Sequence, residues 1–263
     1  MPSRAAEREN FMGFEGIEGR VAIVTGAGGG IGEAYARGFA REGAKVVVAE
    51  IDVEGGERVA KSIRDGGGEA VFVRTDVGSE ESTQAAAQAA VDAFGGIDFL
   101  VNNAAIFKDM KLSSLLHVDW DYYKHFMNVN VDGALLMARA CWGSMKQRGG
   151  GSIVNQSSTA AYMGVGYYGM SKLAVNGLTQ ALARELGPHG IRVNSIAPGP
   201  TETEALKKTT PVEFQKQLVA TLPLARLGQP EDMVGTCLFL CSTASAWVTG
   251  QVIAVDGGQI VRP

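Results

Sequence analysis

Three cysteines in 263 residues, Cys141, Cys237 and Cys241, are too few and too odd in number for a disulfide framework. That excludes the disulfide-stapled secreted class and suits a reducing compartment. Cys237 and Cys241 stand at i, i+4 with no histidine nearby, which reads as helix packing rather than a metal site. No apolar run approaches the roughly 20 residues that span a bilayer, and the opening MPSRAAEREN lacks the apolar stretch of a secretory signal. Basic blocks are missing too. Lys207-Lys208 is the longest cationic cluster, and a net charge of -4 leaves no electrostatic footprint for a nucleic-acid backbone. These absences predict a cytoplasmic protein that engages neither nucleic acid nor membrane.

What the chain does have is alternation. Short β-branched runs occur at 21–25, 45–50, 70–76, 97–103, 151–158, 191–198 and 250–256, separated by longer helix-periodic stretches. Unbroken apolar strands imply burial on both faces, so the expected fold is α/β: a doubly wound, seven-stranded parallel sheet with helices on both faces. In the first helical stretch Ile31, Ala34, Tyr35, Gly38 and Phe39 form one apolar stripe. Residues 1–18 read as a flexible lead-in and 19–263 as one domain. Within it, 201–227 breaks the alternation, with Pro211 and Pro223 bracketing a helical piece around Val212 to Ala220. A long excursion beyond a strand's carboxyl end predicts a cover over the substrate site.

The first strand runs into VTGAGGGIG, Val24 to Gly32, which contains no G-x-G-x-x-G in any register and no G-K-[ST]. The second absence removes the nucleoside-triphosphate P-loop. Glycines at such a turn let backbone N–H groups approach a pyrophosphate at the N-terminus of the following helix; with no ligand, the same turn is a tight strand-to-helix connection. Glu50 ends the second strand, where a carboxylate takes the ribose hydroxyls of a dinucleotide. It would oppose a 2′-phosphate by about 4 kcal/mol per unit charge at 4 Å before screening. Arg and Lys are absent from 26–32 and 51–56, so NAD is favoured over NADP, unless Glu50 is only a solvated strand-end charge.

Tyr168 and Lys172 stand four apart in YYGMSK, hence on one helix face. An adjacent ammonium favours the phenolate and lowers a tyrosine pKa that is ordinarily about 10. Such a pair exchanges a proton with an alcohol. Ser157 and Ser158 end the strand before it, and either hydroxyl could hold a substrate oxygen or bond a backbone group.

Taken together, these residues resemble the short-chain dehydrogenase/reductase family over about residues 18 to 261, a family of Rossmann-like fold. TGAGGGIG is similar to its T-G-x-x-x-G-x-G coenzyme turn, with Gly26, Gly30, Ile31 and Gly32 in contact positions. Asp76-Val77 resembles its adenine-contacting pair, and Asn102-Asn103-Ala104-Ala105 its N-N-A-G, with Ala105 in place of glycine. Asn130, Ser158, Tyr168 and Lys172 match its catalytic tetrad. Pro198 and the PGPTET segment with Thr201 and Thr203 resemble its nicotinamide contacts, and VDGG near the carboxyl terminus completes the pattern. The Ser158–Tyr168 loop, STAAYMGVGY, is shorter than the family's, which leaves Ser157 as an alternative to Ser158.

The resemblance implies an NAD-dependent oxidoreductase and a homotetramer. Tyr168 would take the alcohol proton, Lys172 would lower its pKa and bond the nicotinamide ribose, Ser158 would hold the substrate oxygen, and Asn130 would support a water-linked relay. Ile106, Phe107, Tyr162, Met163, Val165, Tyr167 and Leu206 are the expected pocket wall, apolar enough for a cyclic or aromatic secondary alcohol or diol and its ketone. The runner-up is a 3-oxoacyl thioester reductase, which Glu50 disfavours because such reductases commonly use NADPH. A non-catalytic NAD-binding protein would not need the Tyr168–Lys172 pair, and a methyltransferase would have no use for the tetrad. His117, His125 and His189 match no catalytic position and read as surface or packing residues.

Overall fold

Strands form where the β-branched runs lie: β1 (Val21–Thr25), β2 (Lys45–Glu50), β3 (Glu69–Arg74), β4 (Phe99–Asn102), β5 (Gly151–Gln156), β6 (Ile191–Pro198) and β7 (Val252–Val255). The computed structural model describes residues 14–204, 206 and 211–261. All seven strands pair in parallel in the order β3-β2-β1-β4-β5-β6-β7, as the sequence predicts. The order reverses between β1 and β4. That switch point opens a crevice at the strands' carboxyl ends.

Side chains alternate across each strand, so the central strands feed two cores. Ala22 and Val24 of β1 face one layer with α1 (Gly30–Arg41), α2 (Val53–Asp65) and α8 (Pro230–Cys241), whose Tyr35, Phe39, Val59 and Leu238 are buried there. Val21 and Ile23 face the other, with α3 (Glu80–Phe94), α5 (Gly133–Gln147) and α6 (Gly166–Leu186) supplying Ala87, Met137, Cys141 and Leu182. The apolar stripe of α1 serves two neighbours. Phe39 stacks on Phe99 of β4, while Gly38 lets α8 approach so closely that a Cβ would sit 2.5 Å from Val234. The three thiols are buried, Cys237 and Cys241 within α8, and burial pushes the Cys141 thiol up to about 12.

Between α4 (Trp120–Met127) and α5 the helix widens into a π turn over Asn128–Asp132. No periodicity in NVNVD announces it. Such turns are frequent at functional sites because they redirect one side chain, here Asn130. The expected cover contains helix α7 (Val212–Thr221), while residues 205 and 207–210 of it lie outside the described residues.

Residues 14–18, expected in the flexible lead-in, are anchored at Phe14, Glu15 and Ile17. Ile17 is fully buried, the Phe14 N–H donates to the Glu42 carboxylate, and Thr243 N–H donates to Glu15 O. Phe14 and Ile17 alone, within a polar and glycine-containing stretch, carry too little periodicity to be read. The remaining residues of that stretch, 1–13, lie outside the described residues. No helix among the described residues is long and apolar enough to cross a membrane.

At the opposite end of the sheet from the crevice, buried Asp98 accepts from Arg148 (2.9 Å twice), Arg20 (2.8 Å) and the Val21 N–H (2.8 Å). Burial raises its pKa, yet the Arg148, Val21 and Arg20 hydrogen bonds outweigh that and hold it below the ordinary carboxylate range. A depressed carboxylate stabilises the fold above its unfolded pKa and loses that contribution as pH falls through the folded one. Asp98→Asn is therefore expected to cost about 2 kcal/mol at neutral pH, less than a fully buried pair because both arginines are partly exposed. In denaturant unfolding the gap between variant and wild type should close as pH drops into the carboxylate range.

Candidate active site

At the carboxyl end of β1 the glycine turn bends back on itself. Gly26 (φ 62°) and Gly30 (φ 57°) lie in the left-handed region that glycine alone tolerates well. Gly32, in the first turn of α1, lies so close to the glycine turn that a Cβ would sit 2.1 Å from Gly26 O. The N-cap, Gly29, offers no side chain to the first N–H groups of α1. Asn103 pins the turn from β4: its Nδ2 donates to Thr25 O (3.0 Å) and Gly26 O (3.1 Å). Thr25 Oγ1 accepts from the Asn103 and Ala104 N–H groups, both at 3.0 Å. Thr25 was not among the candidate site residues; its role lies in a cross-strand bond that a linear sequence does not display.

Glu50 is no free strand-end charge. Oε2 accepts from Gly28 N–H at 2.9 Å, and Oε1 from the Ile51 and Asp52 N–H groups at 2.8 and 3.0 Å. The carboxylate is thus fixed against the turn at the end of β2. Asp76 accepts from Gly78 N–H at 2.9 Å, and Val77 is buried against Gly133. Ile31 is half-buried at the start of α1, and Pro198 closes β6 beside Val255. Beyond it, Thr201 donates to Gly199 O (3.0 Å), and the Thr203 methyl lies 3.6 Å from a Cβ placed on Gly30. The PGPTET segment therefore reaches across to the glycine turn.

The tetrad candidates meet in the same crevice. Ser158 caps the short turn Thr159–Tyr162, accepting from Ala160 N–H, and its hydroxyl lies near enough to Tyr168 to favour the phenolate. Ser157 instead donates to Lys172 O at 3.2 Å and is buried. Lys172 Nζ donates to Gln156 O at 2.9 Å and sits 5.8 Å from the Tyr168 ring centroid. Gln156 acts through its main chain, which no residue-type signal reveals. Phe107 packs at 5.2 Å against the Tyr168 ring as the other face of the pocket. Tyr167, expected in the same wall, is one residue round the helix and points elsewhere: its ring meets Phe126 edge-on, and its hydroxyl donates to Lys111 O.

Asn130 pairs with the backbone of Ile106 in both directions, accepting from its N–H (2.8 Å) and donating to its C=O (3.2 Å). It thereby holds the chain that leads from β4 to Phe107. Behind Lys172 lies a cavity of about 10 Å³ lined by Thr25, Asn102, Asn130 and Gln156, the size of one water. Asn102 Oδ1, a lining residue's acceptor, is buried without a hydrogen-bond partner.

Burial pushes the Tyr168 phenol up to about 12, with Ser158 only partly offsetting it, and burial pushes the Lys172 ammonium down to about 8. Burial is the larger effect on both groups, and Gln156 O engages one of the three Lys172 N–H donors. The lysine remains mostly protonated at neutral pH, while the phenol is fully protonated. None of the three histidines approaches this site: His117 bonds Ser114, His189 packs on Trp142, and His125 is exposed.

The family model described as enoyl-(acyl carrier protein) reductase matches residues 26–259. An uncharacterised oxidoreductase of Mycobacterium tuberculosis is 58% identical over 246 residues, covering 94% of this chain and 99% of the relative. The 7α-hydroxysteroid dehydrogenase of Escherichia coli is 36% identical over 251 residues, covering 93% and 95%. A (2S)-[(R)-hydroxy(phenyl)methyl]succinyl-CoA dehydrogenase subunit of Thauera aromatica is 38% identical over 246 residues, covering 93% and 98%. Among solved structures, a 7α-hydroxysteroid dehydrogenase complexed with NADH and 7-oxo glycochenodeoxycholic acid superposes with a TM-score of 0.87 at 36% identity, covering 94% of this chain and 97% of that one.

Proposed function

Because the chain belongs to the short-chain dehydrogenase/reductase family of oxidoreductases, we propose that it interconverts a secondary alcohol or diol and its ketone with NAD(H). The observation that carries this reading is Lys172 Nζ at 5.8 Å from the Tyr168 ring, one helical turn away and beside Ser158, in the crevice that the glycine turn enters. A non-catalytic binding protein has no need of that cluster.

The residues of the crevice fit a dinucleotide. A turn kept free of Cβ atoms at Gly26, Gly30 and Gly32, with Ile31, would hold the pyrophosphate at the uncapped start of α1. Glu50 would accept from the ribose hydroxyls, Asp76 and Val77 would meet the adenine, Asn103 would brace the turn, and Pro198, Thr201 and Thr203 would flank the nicotinamide. When bound, the coenzyme supplies the hydride acceptor or donor. The chain's own work is orientation and proton transfer. Ser158 would hold the substrate oxygen, Tyr168 Oη would take or return its proton, and Lys172 would stabilise the negative phenolic oxygen and bond the nicotinamide ribose. Asn130 positions the loop bearing Ile106 and Phe107. The one-water cavity beside Asn102, Asn130 and Lys172 supports proton exchange behind the lysine.

Phe107 against Tyr168 supports a bulky apolar substrate. Relatives named for a steroid and for a phenyl-bearing thioester support a ring-bearing one. The neighbour's NADH supports the coenzyme assignment. The test follows the reduced-nicotinamide absorbance with NAD and with NADP over a panel of cyclic and aromatic secondary alcohols. NAD should be preferred in kcat/KM by about 10- to 100-fold, a screened fraction of the Glu50–phosphate repulsion. Equal rates would remove the role given to Glu50. Activity confined to 3-oxoacyl thioesters with NADPH would install the runner-up instead.

A further inference from the structure

Arg58, in α2, was no part of the coenzyme site anticipated from the sequence, yet it touches the glycine turn. Its Nη2 donates to Gly28 O at 2.8 Å and to Glu33 Oε2 at 2.7 Å, and its Nη1 donates to Glu33 Oε1 at 3.0 Å. The Gly28 peptide is therefore gripped from two sides, its N–H by the Glu50 carboxylate and its C=O by Arg58. Glu33 also binds Arg37, through Nε at 2.9 Å and Nη2 at 2.8 Å, and Arg37 reaches Ser62 Oγ at 2.9 Å with its third nitrogen. Asp52 lies close by: a Cβ on Gly55 would be 2.8 Å from Asp52 Oδ2 and 3.0 Å from Gly28 O.

We infer that Glu33 masks Arg58, and that this pair is a second determinant of coenzyme choice: a guanidinium stationed at the ribose end of the turn is kept from a 2′-phosphate by its carboxylate partner. The inference rests on the NAD reading above. Three carboxylates, Glu33, Glu50 and Asp52, surround two guanidiniums at this end of the turn. Neutralising Glu33 balances those charges and frees the paired N–H donors of Arg58, which a phosphate accepts in the same forked geometry as a carboxylate. The Arg58 bond to Gly28 O survives the change and keeps the guanidinium at the turn. Arg37 likewise keeps Ser62. Two arginines hold the Glu33 carboxyl below its ordinary pKa against the effect of burial, so the mask is charged at neutral pH.

The experiment measures binding by calorimetry, with 5′-ADP and 2′,5′-ADP as probes. Glu33→Gln should tighten 2′,5′-ADP about tenfold and leave 5′-ADP within about twofold, and Glu33→Ala should do the same should the glutamine pack poorly. Adding Arg58→Ala to either variant should abolish the gain. Equal tightening of both probes, no tightening, or a gain that persists without Arg58 would overturn the inference. Failure of the wild type to bind 5′-ADP would instead remove the dinucleotide reading on which it stands.

Discussion

Tyr168→Phe should lower the turnover number by about 10³-fold or more while leaving NAD affinity within about twofold, because the change deletes one oxygen and the group that transfers the proton. The phenol pushed up to about 12 gives the wild type a definite pH signature. Alcohol oxidation needs the deprotonated phenol, so its rate should climb by up to tenfold per pH unit below that pKa until another step limits it. Ketone reduction uses the protonated phenol and should stay nearly flat from about pH 6 to 8. The residual rate of Tyr168→Phe should show no climb. A variant that keeps a tenth of the wild-type rate, or keeps the climb, would assign the proton to another group. Steady-state rates in both directions, with coenzyme affinity from fluorescence titration, separate these outcomes.

Gly32→Ala carries the other large effect. Its Cβ would fall 2.1 Å from Gly26 O, which is main chain, and 2.5 Å from Asn103 Nδ2, a side-chain amide held by two hydrogen bonds. The turn must open, which breaks the Asn103 bonds to Thr25 and Gly26 and pulls the start of α1 from β1. We expect a loss of about 3 kcal/mol, at the upper end for one inserted methyl group, and a Tm lower by roughly 6–12 °C. NAD affinity should fall more than about 100-fold, beyond what the stability loss explains, since the anion-binding N–H groups lose their arrangement. Gly29→Ala is the matched control: a Cβ there meets nothing within 4 Å. Unfolding curves and coenzyme titration on the two variants distinguish a turn that must remain narrow from one that merely contains glycines.

Much of this was legible before any coordinates. Strands β1, β2 and β6 begin and end where the apolar runs do, since a strand buried on both faces needs a continuous β-branched run. Tyr168 and Lys172 share a face because four residues make about one helical turn. Glu50 reaches the turn because strand and turn are contiguous in a parallel βαβ unit. The π turn that aims Asn130, the burial of Ile17 and the direction of Tyr167 were not legible. Each depends on what packs opposite.

By itself the sequence determined the α/β alternation, the position of the glycine turn and the spacing of the reactive pair, all products of local periodicity and covalent connection. The tertiary structure alone decided that Ser157 turns its hydroxyl to Lys172 O while Ser158 caps the next turn, and that Lys172 Nζ donates to Gln156 O. It also decided that Arg58 grips Gly28 under the guard of Glu33. Those outcomes depend on distance and burial between elements far apart in the chain, and both the strength of a charge and the pKa of a proton donor follow from that surrounding rather than from residue type.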